Sequence, residues 1–243
     1  DMPLLQQETL ESLIQLHHRT SAIMAMVTVI RDNPRGFGRV LRDEGGSVLR
    51  VVEEPEATPE QLTIRELNAG IYVYDSDFLW QNLPRLEPSA EKGEIYLTDM
   101  VELAVNAGHH VADLVLEDPT ETMGVNTRVD FAAALEALRQ RINERWMLEG
   151  VTLIDPATTY IGPQVTIGMD TVIHPNTSLR GGTTIGEHCE IGPNSLVVDT
   201  QIGHRCQVLA SVLEEAVMED DSDIGPFSHL RKGAYVSKGA HVG

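Results

Sequence analysis

An aliphatic residue returns every six positions through the last third of this 243-residue chain, from about Ile161 to Gly243. The aliphatic positions are Ile161, Ile167, Ile173, Leu179, Ile185, Ile191, Val197, Ile202, Val208, Ile224, Leu230, Val236 and Val242. Glycine often follows directly, and a small or β-branched residue tends to fall four positions after the aliphatic one. This period fits neither an amphipathic helix nor an isolated strand, and it predicts a solenoid.

The repeats predict a parallel β-helix in which the aliphatic residue points into the core, and the glycine gives the corner a conformation that other residues rarely adopt. Three repeats make one triangular coil of roughly 18 residues, which gives about four and a half coils. The spacing between successive aliphatic residues becomes shorter between Val197 and Ile224. The acidic residues 219–221 in this segment predict a solvent-facing loop. An alternative is a set of ordinary strands with glycine turns. That alternative does not explain why so many repeats share the same six-residue spacing.

Composition excludes several classes of function. The formal net charge of -19 repels the phosphates of nucleic acids, and no run of apolar residues is long enough to span a membrane. The chain has only Cys189 and Cys206, both at the small inward position of a repeat, which favours a reducing cytoplasm over a disulfide framework. Because the chain starts at Asp1 and stops within a repeat, we expect a piece of a longer protein.

Residues 1–126 alternate between helical and strand patterns, which predicts a mixed α/β sheet. The expected elements are a helix from Glu8 to about His18, a strand from Ala22 to Ile30, a hairpin turn at residues 43–46, a strand from Leu67 to Tyr74 and a helix from Tyr96 to Ala107. A helical pattern from Thr127 to about Met147 then predicts a linker at residues 127–150, followed by the β-helix at residues 151–243.

Several motifs occur in an order that resembles one enzyme family. They are residues 1–5 (Asp-Met-Pro-Leu-Leu), 36–39 (Gly-Phe-Gly-Arg), 52–53 (Val-Glu), 68–70 (Asn-Ala-Gly), 93–99 (Gly-Glu-Ile-Tyr-Leu-Thr-Asp), 124–128 (Gly-Val-Asn-Thr-Arg), 224–227 (Ile-Gly-Pro-Phe) and 230–231 (Leu-Arg). Together they resemble the bifunctional N-acetylglucosamine-1-phosphate uridyltransferase and glucosamine-1-phosphate acetyltransferase enzymes. The resemblance covers the whole chain and implies a Rossmann-like nucleotidyltransferase domain followed by a left-handed β-helix.

The resemblance also implies chemistry. In the first domain N-acetylglucosamine-1-phosphate attacks UTP and pyrophosphate leaves, with magnesium aligning the phosphates. Asp1 and Asn126 would then be the metal ligands, and Gly38, Glu53 and Asn68 would bind the sugar. Each residue has a plainer interpretation: Asp1 as a solvated charge, Asn126 as a helix N-cap that Thr127 also suits, Gly38 and Asn68 as turn residues, and Glu53 as one charge of an acidic run.

In the second domain of the family, a histidine accepts a proton as acetyl-CoA acetylates glucosamine-1-phosphate. Arg231 matches the arginine that binds the sugar phosphate, with an exposed corner arginine as the alternative. The catalytic base and the acetyl-CoA contacts are expected beyond Gly243, and no catalytic residue is assigned within the chain. Hexapeptide acyltransferases generally trimerise, so we expect a homotrimer through residues 151–243.

Two departures from the family pattern bear on activity. Where the family often has Glu-x-Lys-Asp-Ala, residues 53–57 read Glu-Glu-Pro-Glu-Ala, so a basic contact to the phosphates is expected to be absent or supplied elsewhere. The family's glycine-rich UTP loop belongs before Asp1, and we therefore expect this polypeptide alone to make no UDP-sugar.

Three alternatives stay open at this point. The first is a single-activity sugar-phosphate nucleotidyltransferase with a structural or regulatory β-helix, and the second is a non-catalytic β-helix scaffold. The third is a zinc site formed by His188, Cys189, His204 and Cys206. The repeat register disfavours the zinc site, because it points both cysteines inward and both histidines outward.

Overall fold

The computed structural model describes residues 2–34, 36–89 and 93–243. They divide into two compact units, one ending at Ala134 and the other running from Leu135 to Gly243. The division falls within a helix that begins at Arg128 and ends at Leu148, in the segment predicted to be a linker. No helix in the described part of the chain is long and apolar enough to cross a lipid bilayer.

The first unit is built on one mixed sheet. Its strands are β1 (Met24–Ile30), β2 (Arg39–Arg42), β3 (Val48–Val52), β4 (Glu66–Tyr74) and β5 (Val111–Leu116), and its helices are α1 (Gln7–Thr20), α2 (Ser76–Asn82), α3 (Asp99–Asn106) and the start of α4 (Arg128–Leu148). The strand order is β3-β2-β4-β1-β5, with β5 parallel to β1 and the other pairs antiparallel. The predicted mixed α/β sheet is therefore confirmed.

Strand β1 lies between β4 and β5, and it is apolar except for Thr28 because both of its faces are covered. Met24 and Met26 pack in a core with Met100 of α3, whereas Ala25 and Val27 pack with Leu13 of α1. The sheet therefore lies between helical layers. The helix predicted from Tyr96 begins only at Asp99, because residues 96–98 form a turn, and it ends before Gly108, whose φ is +77°. Strand β5 and helix α2 were not singled out by the sequence.

The second unit is a solenoid of short parallel strands in three sheets of five, five and six strands, which gives about five turns. The first sheet contains Tyr160–Ile161, Ser178–Arg180, Leu196–Val198, Val212–Glu214 and His229–Leu230; the second contains Thr166–Ile167, Thr184–Ile185, Gln201–Ile202, Val217–Met218 and Tyr235–Val236; the third contains Thr152–Leu153, Val172–Ile173, Glu190–Ile191, Gln207–Val208, Asp223–Ile224 and His241–Val242. This arrangement confirms the predicted β-helix of six-residue repeats and is consistent with left-handed winding.

The aliphatic positions of the repeats form the core of this unit, together with Ile142 and Trp146 of α4. The small inward residues are also buried, and several of their hydroxyl groups bond to the backbone. Thr171 Oγ1, for example, donates to the carbonyl of Gly186 at 2.9 Å and accepts from the amide of Cys189 at 3.0 Å. These side chains therefore satisfy backbone groups inside the coil as well as filling space.

The segment between Val197 and Ile224 is more regular than the sequence suggested. Leu213 and Met218 are buried and continue the aliphatic series in steps of five residues. Strand partners there are 16 positions apart, as for Val212 and Leu196, instead of the 18 that separate Ser178 from Tyr160. The acidic residues 219–221 form one corner turn of this coil, where Asp221 is exposed and Glu219 and Asp220 are half-buried, so they do not interrupt the coil. The shorter steps concealed the repeat.

The role of the repeat glycines also differs from the prediction. Positive φ at the glycine is found for Gly192 and Gly225, but Gly168, Gly186 and Gly203 do not have it. The left-handed corner residues instead lie three positions after the aliphatic one, as at Asp170, Asn176, His188, Asn194, Arg205, Asp221 and Phe227. Gly186 is needed for a different reason: a Cβ there would lie 2.6 Å from the carbonyl oxygen of Gly203 in the next coil.

Candidate active site

Three of the predicted site residues meet at one end of the first unit's sheet. The amide of Asn68 on β4 donates to the carbonyl oxygen of Gly38, just before β2, at 2.9 Å. A Cβ on Gly38 would lie 2.7 Å from Val51 Cγ1 and 3.4 Å from Glu53 Oε1. Any side chain at Gly38 would therefore clash with β3 and fill the space before the Glu53 carboxylate. The turn interpretation alone does not explain this glycine.

Asn68 is held by its side-chain oxygen. Oδ1 accepts from the amide of Gly70 at 3.1 Å and from the hydroxyl of Tyr72 at 3.0 Å, and the residue is only 9% exposed. With the oxygen engaged, the side-chain NH2 group has no hydrogen-bond partner among the described residues and is available to donate. The geometry therefore fixes the orientation of the amide and presents a donor to a ligand.

Glu53 follows β3 and is partly buried. Its Oε1 accepts from Thr98 Oγ1 at 2.9 Å, which leaves Oε2 free of partners among the described residues. A free carboxylate oxygen can accept from a hydroxyl, and a free amide NH2 can donate to an oxygen. Neutral polar ligands such as sugars offer both groups.

The surroundings of Glu53 are acidic. Burial and, to a smaller extent, the charge of Glu53 raise the pKa of Tyr72, so that its hydroxyl keeps the proton that it donates to Asn68. The pKa of Asp99 is raised by burial first and then by repulsion from Glu56, Glu102 and Glu53. A phosphate brought to this region would need a positive charge to offset these carboxylates.

Residues 53–57, which depart from the family pattern, place no basic group here. Glu54–Glu56 forms a 3-10 turn with Pro55 inside it. Glu54 instead engages the buried Arg39, whose NH2 lies 3.5 Å from Glu54 Oε2, and accepts a hydrogen bond from the Gly36 amide. The turn therefore anchors residues 36–39, which contain Gly38.

Asn126 lies on the surface just before α4 and does not cap the helix. Thr127 Oγ1 accepts from the amide of Asp130 at 3.1 Å, and Asp130 Oδ2 accepts from the amides of Thr127 at 2.8 Å and Asn126 at 3.2 Å. This reciprocal pair is a capping box, and it leaves the side chain of Asn126 exposed. Among the described residues no hydrogen bond joins Asn126 to Gly38, Glu53 or Asn68.

The other predicted positions lie elsewhere. Asp1 is outside the described residues. Arg231 belongs to the second unit, directly after the strand His229–Leu230, where it is exposed and makes no ion pair with any described residue. Its carbonyl oxygen accepts from the Ala234 amide at 2.9 Å.

The two cysteines and the neighbouring histidines of the second unit lie on opposite sides of the coil wall, as the repeat register predicts. Cys189 and Cys206 are buried and free, whereas His188 and His204 are exposed. No group of three or more histidine, cysteine or acidic residues within the described ranges is placed to hold a metal ion.

The sequence missed two residues that the structure adds to the cluster, Tyr72 and Thr98. Tyr72 lies four positions after Asn68 on the same strand, hence on the same face, which is a signal that alternation provides. Thr98 lies within a motif that was noted for resemblance, but its contact with Glu53 spans 45 positions and required the fold.

Comparison with known proteins identifies the family of the chain. The family model described as Nucleotidyl transferase matches residues 4–147, more than half of the chain. The chain belongs to the nucleotidyl transferase family. A second model, described as Bacterial transferase hexapeptide (six repeats), matches residues 164–198.

Curated relatives named bifunctional protein GlmU resemble this member of the family over its whole length. The relative from Exiguobacterium sibiricum is 42% identical over 243 residues, which cover 54% of its own length. The relative from Carboxydothermus hydrogenoformans is 41% identical over 243 residues and 54% of its length, and that from Pelobacter propionicus is 43% identical over 244 residues and 53% of its length. The chain therefore spans about half the length of these relatives.

Proposed function

We propose that this chain is part of a bifunctional enzyme of UDP-N-acetylglucosamine synthesis. In this proposal the first unit contributes to uridylyl transfer from UTP to N-acetylglucosamine-1-phosphate with release of pyrophosphate. The second contributes to acetyl transfer from acetyl-CoA to glucosamine-1-phosphate. The observation that carries the proposal is that Glu53 and Asn68, which are distant in sequence, both lie next to Gly38.

The residues of this cluster suit an N-acetylated sugar. Asn68 would donate from its NH2 group, while Tyr72 and the Gly70 amide hold the opposite oxygen. Glu53 would accept from a sugar hydroxyl through Oε2, while Thr98 holds Oε1. Gly38 keeps the space before the carboxylate open. The protein's contribution in this part of the site is orientation, which phosphoryl transfer needs more than a nucleophile from the protein.

The exposed side chain of Asn126 offers an oxygen that suits magnesium. The ion prefers oxygen ligands, and the capping box leaves the side-chain oxygen of Asn126 exposed. We infer that Asn126 and Asp1 would hold the ion, which would neutralise charge on the nucleotide phosphates. Such neutralisation suits the acidic surroundings of Glu53 and Asp99.

For the second activity we propose that Arg231 binds the phosphate of glucosamine-1-phosphate. An exposed guanidinium without an ion pair among the described residues is available for a bidentate contact. We further propose that residues 151–243 assemble as a homotrimer. We also propose that the protein is located in the cytoplasm, a reducing compartment that the buried free thiols of Cys189 and Cys206 support. Light scattering tests the assembly, and a monomer at micromolar concentration would exclude it for this chain.

Binding measurements test the first activity. Titration calorimetry with UDP-N-acetylglucosamine and magnesium should give a measurable affinity for the wild-type chain, and Asn68→Ala should weaken it about tenfold because a buried donor is lost. Asn106→Ala is the control, because Asn106 is exposed at the end of α3. No binding by the wild type, or equal binding by the two variants, would contradict the proposed site.

A parallel titration tests the second activity. Glucosamine-1-phosphate should bind the wild-type chain, and Arg231→Gln should abolish most of that binding. Arg180→Gln is a matched control, because Arg180 is also exposed and belongs to a strand of the same sheet. Intact sugar-nucleotide binding without any glucosamine-1-phosphate binding would favour the single-activity alternative, and absence of both would favour a scaffold.

A further inference from the structure

Glu121 is a buried carboxylate that neither activity uses directly. It belongs to the 3-10 turn Pro119–Thr122 and is only 4% exposed. Both of its oxygens accept hydrogen bonds: Oε2 from the Gln6 amide at 3.0 Å and from Thr9 Oγ1 at 2.6 Å, and Oε1 from Gln6 Nε2 at 3.2 Å. No lysine, arginine or histidine in the described part of the chain pairs with it. Burial of a carboxylate without a positive partner costs desolvation free energy, so these hydrogen bonds must offset that cost.

The partners of Glu121 identify it as a cap supplied from a distant part of the sequence. Helix α1 begins at Gln7, and its N-cap Gln6 makes no capping bond of its own. Glu121, 115 positions away, accepts from the N-cap amide and from the hydroxyl of Thr9 in the first turn. The positive end of the helix dipole offsets part of the cost of the buried charge.

The cap also joins two segments that matter for the proposed function. Residues 2–6 lead into α1 and directly follow Asp1 in the sequence. Residues 123–126 follow the 3-10 turn and end at Asn126. Because Glu121 fixes the end of the first segment to the start of the second, it limits the separation that the two segments can adopt.

We propose that Glu121 is a positioning residue of the nucleotidyltransferase site: its carboxylate ties the segment after Asp1 to the segment before Asn126. The inference rests on the proposed function, in which these two residues are the magnesium ligands. Among the described residues the carboxylate makes no hydrogen bond to Asn126, and it acts through the backbone of the two segments.

The test compares Glu121→Gln with Glu117→Gln. Both variants remove one negative charge, but Glu117 is exposed. In Glu121→Gln an NH2 group replaces one acceptor and faces donors, so amide hydrogen exchange of the unliganded chain should accelerate about tenfold in both segments, 2–6 and 123–126. Manganese binding in the presence of UDP-N-acetylglucosamine, followed by electron paramagnetic resonance, should weaken by at least about fivefold. Glu117→Gln should change neither quantity.

The outcomes separate the two proposals. Faster exchange confined to residues 2–6, with manganese affinity unchanged, would show that Glu121 only caps α1 and would overturn the inference. A wild-type chain that binds no manganese with the nucleotide sugar would defeat the proposed function, while exchange in the unliganded chain still decides whether Glu121 joins the segments. If Glu121→Gln fails to fold, Thr9→Val removes one of the three hydrogen bonds and the same comparison applies.

Discussion

Adding a methyl group at Gly186 should destabilise the solenoid, whereas the same change at Gly182 should not. A Cβ on Gly186 would lie 2.6 Å from the oxygen, 2.7 Å from the carbon of the Gly203 carbonyl and 2.9 Å from the amide nitrogen of His204. These are backbone atoms of the next coil and cannot rotate away. At Gly182 the nearest atom is Asp199 Oδ1 at 3.8 Å, and φ is not positive.

The magnitude follows from the separation that the coils would need. An ordinary contact begins near 3.4 Å, so the coils must part by about 0.8 Å, the difference from 2.6 Å. The hydrogen bond from the Gly186 amide to the Ile202 carbonyl, now 2.9 Å, would lengthen past its useful range. Overpacking costs about 1–3 kcal/mol, and the smaller entropy of the unfolded alanine chain returns about 0.4–1 kcal/mol. We expect Gly186→Ala to lose roughly 1–2 kcal/mol and Gly182→Ala to gain up to about 1 kcal/mol.

Urea unfolding followed by tryptophan fluorescence measures this difference. The chain has two tryptophans. Trp146 is 6% exposed in the core of the second unit, whereas Trp80 is 68% exposed, so the change in emission reports mainly on the solenoid. With equal urea slopes, the midpoints give the difference in unfolding free energy. Equal stability of the two variants, or a Gly186→Ala variant within about 0.5 kcal/mol of wild type, would refute the close-approach explanation.

Three further predictions concern the first unit. Tyr72→Phe should weaken UDP-N-acetylglucosamine binding about three- to tenfold in calorimetry, because Asn68 Oδ1 loses one donor; Tyr74→Phe should not, because the Tyr74 hydroxyl has no partner among the described residues. The pKa of Glu66 is lowered chiefly by its hydrogen bond from Arg42. The bond therefore stabilises the fold at pH values above the ordinary pKa of a glutamate. This stabilisation is lost as the pH falls through the lower pKa of Glu66 in the folded state. Urea midpoints of the wild type should therefore fall more steeply with acid than those of Arg42→Gln, and parallel pH profiles would contradict this. Thr127→Ala should cost about 1 kcal/mol in thermal unfolding and should raise the pKa of Asp130, which hydrogen bonds from Thr127 now lower; an unchanged carboxyl titration by NMR would argue against the capping box.

Local patterns predicted much of the fold. The six-residue period placed the core of the solenoid correctly because the aliphatic position packs in or against the core in each coil, although Leu230 and Val242 are only partly buried. The apolar run of β1 and the hairpin at residues 43–46 were also read from local signals, as β2 and β3 pair across that turn. Leu213 and Met218 were missed because the steps there are five residues long and no glycine marks them.

The spatial arrangement of the site could not be read in the same way. The resemblance named Gly38, Glu53 and Asn68, but their contact depends on the pairing of three strands. The purpose of Gly186 was misjudged because a clash with the next coil is a contact between positions far apart in sequence. Glu121 escaped notice for the same reason, since nothing local connects it to Gln6.

Each coil of the solenoid forms its strand hydrogen bonds only with the coil before it and the coil after it. Resistance to a pulling force along the axis is therefore a property of single layers and not of the unit as a whole. Tension should peel the solenoid apart one layer at a time. Since strand partners lie 16 to 18 positions apart, each layer would release roughly 5–6 nm of chain, so the unit would extend in small steps under load instead of yielding in a single event.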